Sequence, residues 1–426
     1  MADGETALGF DDWTRGRALP TIGTNAGAAV LPFQAWRRFK EAFAPELIEQ
    51  AICETPGGVQ HIVDPFGGSG TTALAAQFLG VRPTTIEVNP FLADLIEAKI
   101  GELDLDRAIL DLRAVVEMAT AAKPAKPVFR GAPATFVEPG KEGRWIFSRE
   151  VAERILAYRH AIEAVRDQDI RRLFRVTLAS ALIPVSNVTV SGKGRRYRSG
   201  WERRPASPDL VDQLFREGVV QALYDLRRYG ARRCRDYTLL RGDARNLAST
   251  VGSHDLAVFS PPYPNSFDYT DVYNVELWAM GYLGDQAENL SLRQATLRSH
   301  VQIFRDMTGA GLKSPLLDRT VEALVEARPR LWNRHIPDMI GAYMADMLKV
   351  LNGLYLGLRR QGRVYMVVGD SRYATIDVPV AAILAELAPS CGFEVVRSEP
   401  CRSMRSSPQQ GGRHELAESL VVLERA

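Results

Sequence analysis

Cysteine is scarce: the 426 residues hold four, Cys53, Cys234, Cys391 and Cys401, widely spaced and without a C-x-x-C pair. That pattern argues against a zinc site and against a disulfide framework. The six histidines form no H-E-x-x-H pattern either, so no metal is expected. No apolar run is long enough to cross a bilayer. The opening Met1-Ala2-Asp3-Gly4-Glu5 lacks the basic start and apolar core of a secretory signal. A cytoplasmic protein with no membrane partner is expected. Charge of one sign is missing too: 53 basic and 51 acidic side chains leave a net charge of +2. A polyanionic partner would therefore have to be met by local patches rather than by a global field.

What is present is 46% hydrophobic and 24% charged sequence, enough for a large core in one domain with an insertion, or in two domains. Residues 1–30, rich in Gly, Ala and Thr, read as an irregular leader. A helical stretch is expected from Phe33 to Ile52, restarted at Pro45. Strand and helix then alternate: His61-Ile62-Val63, a glycine turn, a helix over 71–79, the strand Thr84-Thr85-Ile86-Glu87, and a helix over 91–100. From 103 to 235 the pattern is mainly helical, and strand signals return at 237–240, 256–259, 364–368, 393–396 and 419–423. This predicts an α/β fold with a mostly parallel, doubly wound sheet and an inserted, mainly helical lobe. The expected division is a core of 31–102 and 236–426, with the insertion at 103–235.

Two strand ends carry chemistry. After the first strand comes Asp64-Pro65-Phe66-Gly67-Gly68-Ser69-Gly70-Thr71-Thr72, a loose G-x-G-x-x-A turn through Ala73. Glycines there let backbone approach a ligand closely. No Lys follows them, which disfavours a P-loop and a nucleoside triphosphate. Glu87, at the end of the next strand, is placed to accept hydrogen bonds from ribose hydroxyls. After the apolar run Leu256-Ala257-Val258-Phe259 comes Ser260-Pro261-Pro262-Tyr263. Ser260 Oγ and the Pro261 carbonyl can accept hydrogens from an exocyclic base amine and favour its pyramidal, nucleophilic form. Pro261 and Pro262 stiffen the chain and carry no competing N–H. Tyr263 offers a face for a flat base. Proximity and alignment would supply much of the rate.

These two runs resemble motifs I and IV of the S-adenosylmethionine-dependent DNA amino-methyltransferases, and Phe43-Ala44-Pro45-Glu46-Leu47-Ile48 resembles the segment those enzymes place before motif I. The resemblance covers roughly 40–100 and 237–425 and implies a Rossmann-like methyltransferase. It places Phe43 and Pro45 at the methionine end of the cofactor, Asp64 near its amino-acid portion, Gly68 and Gly70 beneath it, and Glu87 at the ribose. Asp243 would lie near the adenine amine, unless it only caps a turn. Pro65, Phe66, Ser69, Thr71, Thr72, Val88, Asn89 and Ala244 complete the implied cofactor set. Ser in the first position of motif IV goes mostly with cytosine N4, whereas Asp or Asn goes mostly with adenine N6. The order here, cofactor segment first and SPPY later, departs from the common class in which SPPY comes first.

The reading is therefore methyl transfer to a DNA base amine, cytosine N4 first, with adenine N6 or an RNA base as the nearer alternative. A dinucleotide-dependent oxidoreductase using the glycine turn is more remote and leaves SPPY unexplained. A base must leave its duplex, or be single-stranded, to reach such a pocket. Lys193, Arg195, Arg196, Tyr197, Arg198, Trp201, Arg203 and Arg204 form a basic, aromatic stretch that reads as a DNA-binding loop. A solvated surface loop is the plainer alternative. Arg402, Arg405 and Arg413 form a further basic group. A cognate restriction nuclease is a possible partner.

Overall fold

The computed structural model describes residues 8–17, 27–37, 39, 42–191, 194–203, 206–265, 267–308, 311–405 and 415–426. The first strands and helices follow the expected alternation. β1 (His61–Asp64), β2 (Arg82–Glu87), β3 (Val188–Ser191), β4 (Gly194–Tyr197), β5 (Thr238–Arg241) and β6 (His254–Phe259) precede the longer β7 (Leu358–Gly369). A small hairpin, β8 (Ser371–Tyr373) and β9 (Ile376–Val378), leads to β10 (Phe393–Arg405) and β11 (Glu415–Arg425). The helices before β3 are α1 (Phe10–Thr14), α2 (Glu46–Glu54), α3 (Thr71–Leu79), α4 (Pro90–Ile100), α5 (Leu105–Ala121), α6 (Arg149–Glu163) and α7 (Gln168–Leu182). Then come α8 (Pro208–Arg228), α9 (Ala244–Leu247), α10 (Tyr269–Val272), α11 (Asn274–Ala279), α12 (Gln286–Gln294), α13 (Pro315–Glu326), α14 (Ile336–Gly357) and α15 (Val380–Leu387).

Seven strands form one sheet in the order β10-β11-β7-β6-β1-β2-β5. The five from β7 to β5 are parallel, while β11 runs antiparallel to β7 and β10 antiparallel to β11. This is the expected mostly parallel, doubly wound, Rossmann-like sheet. The chain moves from β1 outward to β2 and β5, then returns to place β6 on the other side of β1. The reversal opens a crevice at the carboxyl ends of β1 and β6, where open α/β sheets bind their ligands.

Alternate residues of each strand feed opposite faces, as a pleated strand requires. Ile62, Leu256, Val258, Tyr365 and Val367 join the cluster under α2 to α8. Val63, Ala257, Phe259, Val364, Met366 and Val368 join the one under α13 to α15. The helices of 105–228 thus share a core with one face of the sheet. Among the described residues no helix is long and apolar enough to cross a membrane.

Three expectations need correction. The helical stretch expected from Phe33 to the restart at Pro45 is reduced to a single turn at Gln34–Trp36 among the described residues, and α2 begins at Glu46. Asp225 Oδ2 accepts from the Phe33 N–H and from Trp36 Nε1, both at 2.8 Å, and Phe33 sits at φ 64°. Those bonds compete with a helical ladder. Residues 1–30 are not wholly irregular, because Trp13 on α1 is fully buried and stacks on Phe78 at 4.8 Å. The basic stretch is an antiparallel hairpin, β3 with β4, rather than a loop.

Candidate active site

β1 and β6 are parallel neighbours with Val63 opposite Ala257, so the turns that follow them leave the sheet side by side. Both line one cavity of about 360 Å³, which includes Gly68 and Ser260.

The glycine turn is shaped by lack of room. A Cβ on Gly67 would lie 2.3 Å from Thr85 Cγ2 and 2.8 Å from Ile96 Cδ1. Gly68 takes φ 52°, where side chains are rare, and its N–H donates to Glu87 Oε2 at 2.7 Å. Glu87 Oε1 accepts from the Asn89 N–H at 2.8 Å, and the Asn89 side chain in turn caps α4. Burial pushes the Glu87 carboxyl up to about 7 and that of Asp64 up to about 6, against the hydrogen bonds each receives. The donors to them are neutral: the Gly68 and Asn89 N–H groups on Glu87, the Phe66 N–H and the Thr72 hydroxyl on Asp64. Two buried acids held in this way are suited to hydroxyl and ammonium groups of a ligand such as S-adenosylmethionine.

Most of the implied cofactor set lines the cavity: Phe43, Asp64, Pro65, Phe66, Gly68, Ser69, Thr71, Glu87, Val88, Asn89, Asp243 and Ala244. Pro45, Gly70 and Thr72 do not line it, and each has a structural reason. Pro45 starts α2, Gly70 at φ 81° packs on Ile96 ahead of α3, and Thr72 is buried with its hydroxyl on Asp64 and near the Val258 carbonyl. Asp243 caps α9, and Arg245 binds both its oxygens. The capping alternative is thus real, although the residue also faces the cavity.

Around Ser260 the site is assembled from distant chain. Ser260 Oγ lies 3.1 Å from the Tyr263 hydroxyl, which donates to Glu418 Oε1 at 2.8 Å. Glu418 is buried on β11, and burial raises its carboxyl. Pro261 and Pro262 line the cavity, and the buried Tyr373 hydroxyl donates to the Pro264 carbonyl at 2.8 Å, pinning the loop. Phe39 stacks on Tyr273 at 6.2 Å, and both rings face the cavity. On the remaining side stand Thr296, Leu297, Ser299 and His300. Burial lowers His300, leaving it neutral near pH 7, so its 3.8 Å approach to Asp268 is not an ion pair. Glu418, Phe39, Tyr273 and His300 were not foreseen, because no local pattern announces them. The cue for Glu418 was its place in the last strand, beside the strand whose neighbour carries SPPY.

The basic hairpin divides. Arg196 and Arg203 are exposed, and Arg195 approaches Asp271 of α10 at 3.7 Å. Arg198 donates to the Val188 and Ile183 carbonyls at 3.0 and 2.7 Å, which ties the hairpin down. Tyr197 and Arg144 form a cation–π contact at 6.0 Å. Trp201 corrects the reading: it is 8% exposed, edge-on to Trp145, so its ring is spent on packing. Lys193 and Arg204 lie outside the described residues. So does Arg413, whereas Arg402 lines the cavity mouth.

Over 92% of its length the chain is 26% identical to type II methyltransferase M.AvaI of Nostoc sp., covering 86% of that protein. It is 24% identical to M.BsoBI of Geobacillus stearothermophilus, again over 92% of this chain and 85% of that one. The chain is a relative of the type II methyltransferases. This kinship supports the resemblance read from the motifs, and with it S-adenosylmethionine as the cofactor. No family model matches the chain. TrmN from Thermus thermophilus, among solved structures, overlaps 93% of this methyltransferase relative and 50% of its own chain. Its 12% identity and TM-score of 0.28 carry no argument.

Proposed function

We propose that the protein transfers the methyl group of S-adenosylmethionine to an exocyclic amine of a DNA base extruded from its duplex, with cytosine N4 as the favoured acceptor. The observation that carries this reading is one cavity reached by both the glycine turn and Ser260. Kinship with type II methyltransferases supports DNA as substrate and a place in restriction–modification, with a nuclease of matching specificity as partner.

The bound cofactor supplies an electrophilic methyl carbon on a sulfonium. Glu87 would hold ribose hydroxyls, Asp64 the amino-acid end, and Gly68 the backbone approach. Ser260, Tyr263 and Glu418 act on the amine. Glu418 accepts from the Tyr263 hydroxyl, and the tyrosine oxygen can in turn accept from the Ser260 hydroxyl. The Ser260 oxygen then faces the cavity as an acceptor for an amine hydrogen, together with the Pro261 carbonyl. Drawing on that hydrogen builds lone-pair density on the nitrogen, the change the attack requires.

Incubating duplex DNA, single-stranded DNA and RNA, each with the labelled cofactor, and analysing the nucleosides tests the proposal. N4-methylcytosine is the expected product. N6-methyladenine would move the target base, and label confined to RNA would replace the substrate. Absence of transfer to any nucleic acid would reject the reading.

A further inference from the structure

Beyond the Thr296–His300 side of the cavity, exposed arginines and aromatic rings lie outside its lining. α14 descends beside the segment that links β5 to β6: Lys349 Nζ donates to Asn246 at 2.8 Å, Gly353 packs on Ala248, and Gly357 on Gly252. Higher on the helix, Asp346 binds Arg245, the neighbour but one of cavity-lining Asp243. The start of α14 therefore stands about 15 Å beyond that level, at 1.5 Å per residue. The turn leading into it reads Arg328-Pro329-Arg330-Leu331-Trp332-Asn333-Arg334-His335.

Trp332 is 47% exposed, and Arg330 and Arg334 are exposed beside it. Arg328 pairs with Asp338 at 3.0 Å, but among the described residues neither Arg330 nor Arg334 has an acidic group at ion-pair distance. The same Asp346 anchors a second loop. It holds Arg298 at 2.7 Å, and Arg298 Nη1 donates to the Asp306 and Thr308 carbonyls. Arg305 donates to the Thr296 and Leu297 carbonyls and contacts His300, itself part of the cavity wall. On this braced loop Phe304 is 94% exposed. The nearby Asp306 carboxylate is occupied by the Thr308 N–H and hydroxyl. Exposed aromatic rings and unpaired arginines suit a nucleic acid, whose phosphates take the arginines and whose base pairs take the rings.

We infer that the Phe304 loop and the Arg330–Arg334 turn form a second DNA-contacting wall, which grips the duplex flanking the target base from the side opposite the β3–β4 hairpin. α10 touches both sides: Arg195 of the hairpin approaches Asp271 on it, while Asp268 at its cap binds Arg293, which leads into the Thr296–His300 segment. The inference rests on the DNA reading, but its test stands apart from the transfer assay.

Labelled duplex DNA is titrated with protein saturated in S-adenosylhomocysteine, over roughly 50 to 200 mM salt. Joint substitution Arg330→Ala and Arg334→Ala is expected to weaken binding about tenfold or more and to flatten the salt slope by about two. Arg330→Lys with Arg334→Lys keeps the slope, which a merely structural role for the arginines would not require. Phe304→Ala and Trp332→Ala weaken binding several-fold with an unchanged slope. All variants keep wild-type affinity for S-adenosylhomocysteine. Wild-type duplex affinity and slope in the double alanine variant would overturn the wall, even in a protein that methylates DNA normally. A wild-type protein that binds duplex through this wall without transferring methyl groups would reject the function and keep the wall.

Discussion

Under the glycine turn the cavity is made chiefly from one continuous stretch, Asp64 to Asn89, while around Ser260 it draws on Tyr263 and on Glu418, 155 residues later. The first half holds its carboxylates with backbone N–H groups that the local turn supplies. The second depends on side chains brought together by the sheet order, since β11 reaches the site only by pairing with β7. A half built from local backbone tolerates changes elsewhere and binds. A half built from distant side chains can be detuned without losing that binding.

Substitutions should separate the halves. Ser260→Ala is expected to lower kcat about 100-fold, with S-adenosylhomocysteine affinity unchanged in calorimetry. Equal losses in both measurements would mean that the halves are not separable. Glu418→Gln should lower kcat roughly tenfold to thirtyfold and again spare cofactor affinity, because it replaces the charged acceptor that orients the Tyr263 and Ser260 hydroxyls with a weaker amide oxygen and a competing N–H donor. Tyr263→Phe should show no further loss when added to it.

The binding half should instead answer to pH. If the proposed role holds, ionised Glu87 is the form that would accept ribose hydroxyls, so S-adenosylhomocysteine affinity should fall several-fold, at most about tenfold, as pH drops from about 8 to 6 through the raised value near 7. Without ligand the sign reverses. Ionisation inside the fold is disfavoured, so the apoprotein should lose stability as pH rises from the ordinary carboxylate range through 7, and thermal melts with and without the ligand should diverge over that window. Melts that run parallel would remove Glu87 from the cofactor site. The smallest effect concerns the hairpin: Arg196→Ala should weaken duplex binding about threefold and reduce the salt slope by about one. Trp201→Ala should cost stability first, by about 3 kcal/mol in denaturant titration, because its ring lies in packing.

The same contrast governs what could be read from sequence. β1, α3, β2 and α4 were legible because strand period, glycine turn and Asn89 cap lie within thirty consecutive positions or so. Ser260 was legible for the same reason. Trp201 misled, since a tryptophan among arginines looks like a base contact until Trp145, far back in the chain, covers it. The segment after Phe33 misled because Asp225, on α8, claims its backbone N–H. Glu418, His300 and the turn at 328–335 gave no local sign, as their meaning comes from which neighbours the fold assigns them.

The pairing of Val63 with Ala257 has a reach beyond the core in which it sits. Sliding one strand by a single residue would exchange every inward for every outward side chain, so that alignment is fixed by the whole apolar interior. The heights at which the two turns emerge are fixed with it. The two turns are thus held at one fixed offset by peptide bonds buried beneath them, before any ligand has arrived.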